Sequence, residues 1–372
     1  KDRFPALIEL VLKLKSLRSL ALKTIGNADL TLLAPLKQII DLDLSDNNLE
    51  DISPLSNLTQ LISLNLSANE ITNLTPLRQL TKLQCLLLES NPLKNIRSLK
   101  YLKHLQLLDL SYNNIKDFSP IADLTNMKVL CLNACKIEHL SIFNNLQRLS
   151  ELMLKGNTIT DLHPLKKLKG LIHLDLEDNS INDISALSTL SNLEKLDLSD
   201  NLISDISPLE KLEKLKTLNL SNNHSISDIS PLKDLKKLSV LQLGQCNISD
   251  ISTLGKLQQV KRLDLSFNGI SDISTLGFLT KITILQLSHN LVFDISPLGS
   301  LKALNSLQMD YNPLSDIQTL RGLKQLRHLS LNYCQISDIT PLAKLIRLEN
   351  LQLNGNLISN ISPLGKLKNL SN

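Results

Sequence analysis

The chain repeats itself every 22 residues. The closing leucine of a Leu-x-Leu step falls at Leu22, Leu44, Leu66, Leu88, Leu110, Leu132, Leu154, Leu176, Leu198 and Leu220. It returns at Leu243, Leu265, Leu287, Met309, Leu331 and Leu353, after a single step of 23 where His224 and Ser225 add a residue. A fixed period of this length is the mark of a stacked repeat array, and a coiled coil would instead repeat every ~7 residues. The sixteen units run from Leu17 to Leu370. Composition agrees: 42% of residues are hydrophobic but only 3% aromatic, with no Trp. One side chain used over and over suits one small unit stacked many times, whereas an irregular core needs large aromatic fillers.

Each part of the unit L-x-x-L-x-L-x-x-N-x-I-x-D-I-x-P-L-x-x-L-x-x has a physical task. The L-x-L step alternates as a short strand with one buried face does. Three residues on comes an asparagine (Asn47, Asn69, Asn91, Asn113, Asn157, Asn179, Asn201, Asn223, Asn268, Asn290, Asn312 and Asn356). Pointing inward, its amide can satisfy turn backbone groups that the sheet leaves unpaired. Cys135, Cys246 and Cys334 replace it in three repeats, and a small, weakly polar thiol can stand there at some loss of hydrogen bonding. The phrase Asp-Ile-Ser-Pro-Leu, as in Asp51 to Leu55 and Asp205 to Leu209, then opens a single 3-10 turn. Serine is a good N-cap, and proline is preset for the first helical position. The expected fold class is therefore α/β: a right-handed solenoid with a curved parallel sheet on its concave face and 3-10 turns on its convex face. Residues 1–16 read as an N-terminal capping or incomplete repeat segment, and residues 17–372 as one solenoid of sixteen repeats without a C-terminal cap.

Chemistry is sparse. Gly255-Lys256 and Gly365-Lys366 lack the earlier glycine of a phosphate-binding loop, and no Ser-His-Asp set stands out. Cys131-x3-Cys135-x3-His139 resembles a zinc spacing, but the repeat sends the three side chains in different directions. We expect no catalytic centre, no cofactor and no metal. Five cysteines form an odd set, with three at ladder positions, which points to free thiols and to a reducing compartment. Sequons such as Asn57-Leu58-Thr59 and Asn73-Leu74-Thr75 follow from the repeat composition. No apolar run approaches the ~20 residues of a membrane span, and the net charge of +4 is too small to announce a nucleic-acid partner.

These residues resemble the bacterial internalin type of leucine-rich repeat, in which the phrase N-x-I-S-D-I-S-P-L recurs; Asn201 to Ile203 followed by Ser204-Asp205-Ile206-Ser207-Pro208-Leu209 is typical. The resemblance implies a non-catalytic scaffold that recognises a protein on its concave face, in the manner of an adhesin or effector, on a secreted or surface protein. Internalins also carry a helical N-terminal cap and a following immunoglobulin-like domain, so the chain is expected to be part of a longer protein. The rival reading is a regulatory module that controls an appended catalytic domain. The chain is expected to be monomeric.

Three sets of residues on the expected concave face are candidate contacts. Acids outnumber bases there, with Asp175, Glu177, Asp178, Asp197 and Asp200 close in sequence register. That sign repels phosphate backbones and argues against nucleic acid in the groove. A second set is apolar: Cys85, Leu87, Leu107, Val129, Cys131 and Met153 lie on four consecutive strands, and contiguous exposed apolar area marks interfaces. The third is Phe267, His289, Tyr311 and Tyr333, ring-bearing residues at one position of four successive repeats. At the ~4.8 Å strand spacing they should form a strip about 15 Å long.

Overall fold

The computed structural model describes residues 3–371. It opens with an α-helix, Arg3–Leu12, on which Ile8 and Val11 are buried. The remainder, among the described residues, holds sixteen three-residue strands alternating with sixteen 3-10 turns. The chain divides into two compact units, one ending at Asn179 and the other beginning at Ser180.

The first unit carries eight strands, from Ser19–Ala21 to His173–Asp175. Neighbours pair in parallel one repeat apart, as in Leu42↔Leu64 and Leu64↔Leu86. The middle residue of each strand points inward and the two flanking residues face out, as a period of two requires. The second unit repeats the arrangement in eight strands, from Lys195–Asp197 to Asn350–Gln352. The 23-residue step leaves its ladder undisturbed: Leu218 pairs with Leu196 on one side and Leu241 on the other. The extra residue is absorbed in the loop after Asn223.

Leucines and isoleucines from the strand, the loop and the turn fill one continuous interior within each unit. Leu42, Leu44, Leu49, Ile52, Leu55, Leu58 and Leu61 of a single repeat are each no more than 1% exposed. Burying such a side chain contributes ~1.5–3 kcal/mol.

The asparagine ladder is formed as expected. The Nδ2 of Asn223 donates to the carbonyls of Leu198 and Leu220, both at 2.9 Å, while its Oδ1 accepts from the N–H of Ile203 at 2.9 Å. One side chain thus ties its own turn to the preceding repeat. At the three substituted rungs the thiols keep only the donor half. Cys135 Sγ donates to Leu110 O at 3.2 Å and Cys334 Sγ to Met309 O at 3.5 Å. With no acceptor opposite, the N–H of Leu314 turns to Asn312 O instead. Cys135 and Cys334 are buried, but Cys246 is only half-buried, less protected than its ladder position suggests.

The turn-opening serine does not cap as expected. The aspartate two residues earlier does so: Asp51 Oδ1 accepts from the N–H of Ser53 at 2.8 Å, and Ser53 Oγ donates to Asp51 Oδ2 at 2.9 Å. Asp205, Asp228 and Asp294 repeat the pattern. A carboxylate is the stronger acceptor for a backbone donor, so the serine becomes a second donor to it.

Candidate binding surface

Phe267, His289, Tyr311 and Tyr333 form a column of stacked rings in the second unit. Successive centroids lie 4.0, 4.2 and 4.6 Å apart, with interplanar angles of 12°, 18° and 12°. The rings are thus closer than the strands that carry them and shield one another's faces. Their edges stay open: Phe267, Tyr311 and Tyr333 remain 49%, 46% and 54% exposed.

All four occupy the left-handed backbone region, with φ of 56°, 56°, 55° and 52°. The same position in other repeats is often filled by residues that enter this region easily, such as Asp46, Asp178, Asp200, Asn222 and Gly156. For a bulky side chain the conformation costs about 1–2 kcal/mol. Four successive aromatic residues at such a position run against local preference. Gly355 ends the column, since a Cβ there would collide with the Tyr333 ring. Tyr112 shares the position in the first unit, with φ 58° and an exposed ring, but Ser90 and Ala134 flank it in the register.

Beside the column lies an open groove of about 450 Å³, lined by Gln245, Asp264, Gln286, Gln308 and Asp310 among others. Gln286 Nε2 donates to Gln308 Oε1 at 2.9 Å. Asp310 is fixed by donors from Ser330 Oγ at 2.6 Å and Asn332 N at 2.7 Å. A single pair of register-matched amides, Gln286 and Gln308, thus stands between Asp264 and Ser330 on the neighbouring strands. It escapes a reading that counts only charge and apolarity.

The apolar set of the first unit does share one face, but in two columns rather than one patch. Cys85, Leu107 and Val129 are register partners. In the second column Asp109 stands between Leu87 and Cys131, ahead of Met153. The interruption has electrostatic consequences. Burial, reinforced by the carboxylates of Asp109 and Glu151, pushes the Cys131 thiol up to about 12. Burial and Asp109 likewise raise the Glu89 carboxyl above its ordinary range. Apolar area broken by a half-buried acid is a weaker interface than an unbroken patch.

The candidate acids fall in both units. In the first, Glu177 pairs with Lys155 at 2.8 Å, and Asp175 Oδ1 accepts from Glu177 N at 3.0 Å. The Glu177 bond raises the Lys155 ammonium above its usual range. Asp178 lies at the left-handed position, as Asp200 does in the second unit. There Asp197 accepts from Ser199 N at 2.9 Å, Ser199 Oγ at 2.6 Å and Asn219 Nδ2 at 3.0 Å. Much of this acidity is spent on local structure, which lowers what remains for a basic partner. Of the zinc-like spacing, Cys131 lies on the strand face, Cys135 in the core and His139 in solvent.

No helix of the described residues is long and apolar enough to cross a membrane. A family model described as leucine-rich repeats in two copies matches residues 37–79, 103–146, 191–234, 213–256 and 324–369. A search of curated protein sequences gives no match. Among solved structures, an internalin of Listeria monocytogenes is 31% identical, with 92% of each chain covered and a TM-score of 0.62. A leucine-rich-repeat protein of Leptospira interrogans is 28% identical over 98% of this chain and 97% of that one, with a TM-score of 0.88. The functional domain of a second L. monocytogenes internalin, which includes a cysteine ladder, is 22% identical over 87% of this chain and 75% of that one, with a TM-score of 0.72. At that identity it speaks for the fold alone. The chain belongs to the leucine-rich-repeat family and resembles the bacterial internalins.

Proposed function

We propose that this chain is a non-catalytic scaffold that holds a protein partner on its outward strand face, with Phe267, His289, Tyr311 and Tyr333 as the anchor. Leucine-rich-repeat proteins serve in general as protein-interaction scaffolds, since stacked repeats present extended binding surfaces. The observation that carries the choice of anchor is the succession of rings at one backbone position. The left-handed conformation recurs at this position in repeat after repeat and belongs to the scaffold; what marks this stretch is four bulky rings placed there in succession, where Asp, Asn or Gly would sit more easily. Aromatic side chains also give large contact area for little lost freedom, which is why they are enriched among interface hot spots. The amide-lined groove beside them supplies the polar rim that such a centre needs. Because the rings cover each other's faces, a partner would meet their edges and lie along the column.

The first-unit set Leu87, Leu107, Cys131 and Met153, and the acids Asp175, Glu177, Asp178, Asp197 and Asp200, are the competing contact sites. Affinity capture with the full chain separates them. Wild type and a Leu87→Ala/Met153→Ala variant are expected to retain the same protein. Tyr311→Ala/Tyr333→Ala should lose it, by about 2 kcal/mol or more for each ring removed. Capture unchanged by the tyrosine variant, or lost only with Leu87 and Met153, refutes the assignment. An acid-led contact would instead slow as salt rises toward 0.1 M, where the screening length is about 10 Å.

A further inference from the structure

On the turn side of the first unit, the 3-10 turns Thr75–Gln79 and Arg97–Tyr101 enclose a pocket of about 400 Å³. Arg78, Arg97, Lys100 and Tyr101 line it together with Asn73 and Asn95, and no acid contributes to its wall among the described residues. Three departures from the repeat coincide here. The position two residues before the turn-opening serine is acidic in most repeats, as at Asp51, Asp117, Asp183, Asp205, Asp228 and Asp250, but it is an amide at Asn73, Asn95 and Asn360 and an imidazole at His139. Nowhere else in the sequence do two neighbouring repeats both lack the acid. The amides still serve the fold, because Asn73 Oδ1 accepts from Thr75 N and Asn95 Oδ1 from Arg97 N, both at 2.9 Å. Each replaces the second carboxylate oxygen with a donor.

The second departure is Arg97, a permanent cation where Thr75 and Ser119 stand in the adjoining repeats. The third is Tyr101. Its ring lies under the Arg78 guanidinium, 4.5 Å from the centroid, with Lys100 Nζ at 5.2 Å. Its hydroxyl accepts from Arg78 Nη2 at 3.0 Å. An arginine held on an aromatic face loses less freedom on binding than one that swings in solvent. The next acid along the turns, Asp117, feels the Arg97 charge but is already engaged. Bonds from the Ser119 hydroxyl and N–H hold its carboxyl below the ordinary range, with Arg97 adding to them.

We propose that this pocket is an anion site that takes the phosphate or sulfate ester group of a ligand. A planar guanidinium fork, an ammonium and amide donors match a tetrahedral oxyanion with three free oxygens. Elsewhere a turn either keeps this carboxylate or lies beside one that does, as Asp117 and Asp161 flank His139 and Asp338 precedes Asn360, and these carboxylates would repel it. The site is independent of the aromatic column and stands or falls apart from it.

The test uses the full chain at low ionic strength, titrated by calorimetry with inorganic phosphate, inorganic sulfate, glycerol 3-phosphate and glucosamine 6-sulfate. Saturable binding of at least one probe at one site per chain is expected. Preference for the phosphate or the sulfate ester then identifies the source of the group. The decisive variant is Asn73→Asp/Asn95→Asp, which restores the acid that the same backbone accepts in its neighbours and so should fold. It should abolish binding, and Arg78→Ala should weaken it by about tenfold or more, as loss of a charge-assisted contact does. Lys233→Ala/Lys236→Ala, on a turn that keeps its aspartate, should leave binding unchanged. Absence of saturable binding by all four probes, or binding that survives Asn73→Asp/Asn95→Asp, overturns the proposal.

Discussion

Replacing Tyr311 separates two opposing forces in the aromatic column. The ring stacks on His289 at 4.2 Å and on Tyr333 at 4.6 Å. At about 0.5–1.5 kcal/mol for a pair, removal of both stacks costs roughly 1–3 kcal/mol. Against this stands the backbone, held at φ 55°, which burdens a side chain that bears a Cβ by about 1–2 kcal/mol. Tyr311→Ala removes the stacks and keeps the burden, so it should destabilise by roughly 1–3 kcal/mol. Tyr311→Gly removes both, and it should be about 1 kcal/mol more stable than the alanine variant despite glycine's freer unfolded chain. Tyr311→Asn should fall close to glycine, because asparagine tolerates this region. Urea midpoints of the three variants measure the order. An alanine variant as stable as the glycine variant would refute the backbone argument, and wild-type stability in all three would refute the stack. If the column binds a partner, all three lose affinity together whatever their order in stability, which distinguishes a contact from cladding.

Three further expectations follow from the ladder, the thiols and the turns. Asn223→Ala leaves the Ile203 N–H and the carbonyls of Leu198 and Leu220 without their partner, at ~1–3 kcal/mol for buried groups. Asn223→Cys, which keeps a donor, should cost less, and exposed Lys236→Ala should stay within about 0.5 kcal/mol; equal urea midpoints for the three would defeat the ladder assignment. In the folded chain at neutral pH the cysteines should react slowly with a disulfide reagent, since burial raises Cys135 and Cys246 to about 11 and Cys131 to about 12 and the thiolate is the nucleophile. Rapid labelling without denaturant would contradict this. Asp228, Asp250 and Asp272 are held below the ordinary carboxylate range by bonds from the backbone and hydroxyl of Ser230, Ser252 and Ser274. Their contribution is present above the unfolded value of about 3.9 and lost as pH falls through the depressed folded values. Asp228→Asn/Asp250→Asn/Asp272→Asn should therefore flatten the loss of stability on acidification, and an unchanged pH slope would count against the turn bonds.

Much of the architecture was legible because a strict period fixes which side chains face in. Leu42, Leu64 and Leu86 could be placed in the core, and Asn223 on the ladder, from spacing alone. The division of labour at the turn was not legible: Asp51 and Ser53 are both plausible caps, and only the geometry shows which accepts. Register placed Phe267, His289, Tyr311 and Tyr333 in a row, but the left-handed backbone that carries them leaves no trace in aromatic residues themselves. It could have been read from the Asp, Asn and Gly at the same position in other repeats. The apolar set failed as one patch because Asp109 occupies its middle. The pocket around Arg78 and Arg97 was overlooked for another reason: its signal is an acid absent from two neighbouring repeats, which shows only when repeats are compared with one another.

The loop after Asn223 has one more lesson. An additional residue there leaves the strand pairing in register and still lets the next rung, Cys246 Sγ, donate to Leu220 O at 3.5 Å, because each repeat adheres through its rung and its strand to the repeat before it. Each repeat within a unit therefore behaves as a cassette that duplication can copy and recombination can excise. Joining Phe267 directly to Asn290 would remove 22 residues, among them one ring of the stacked column, His289, and leave every remaining rung in phase. The face can thus lengthen, shorten or exchange its contact residues by whole cassettes, which lets a lineage change what it recognises without first reinventing how it folds.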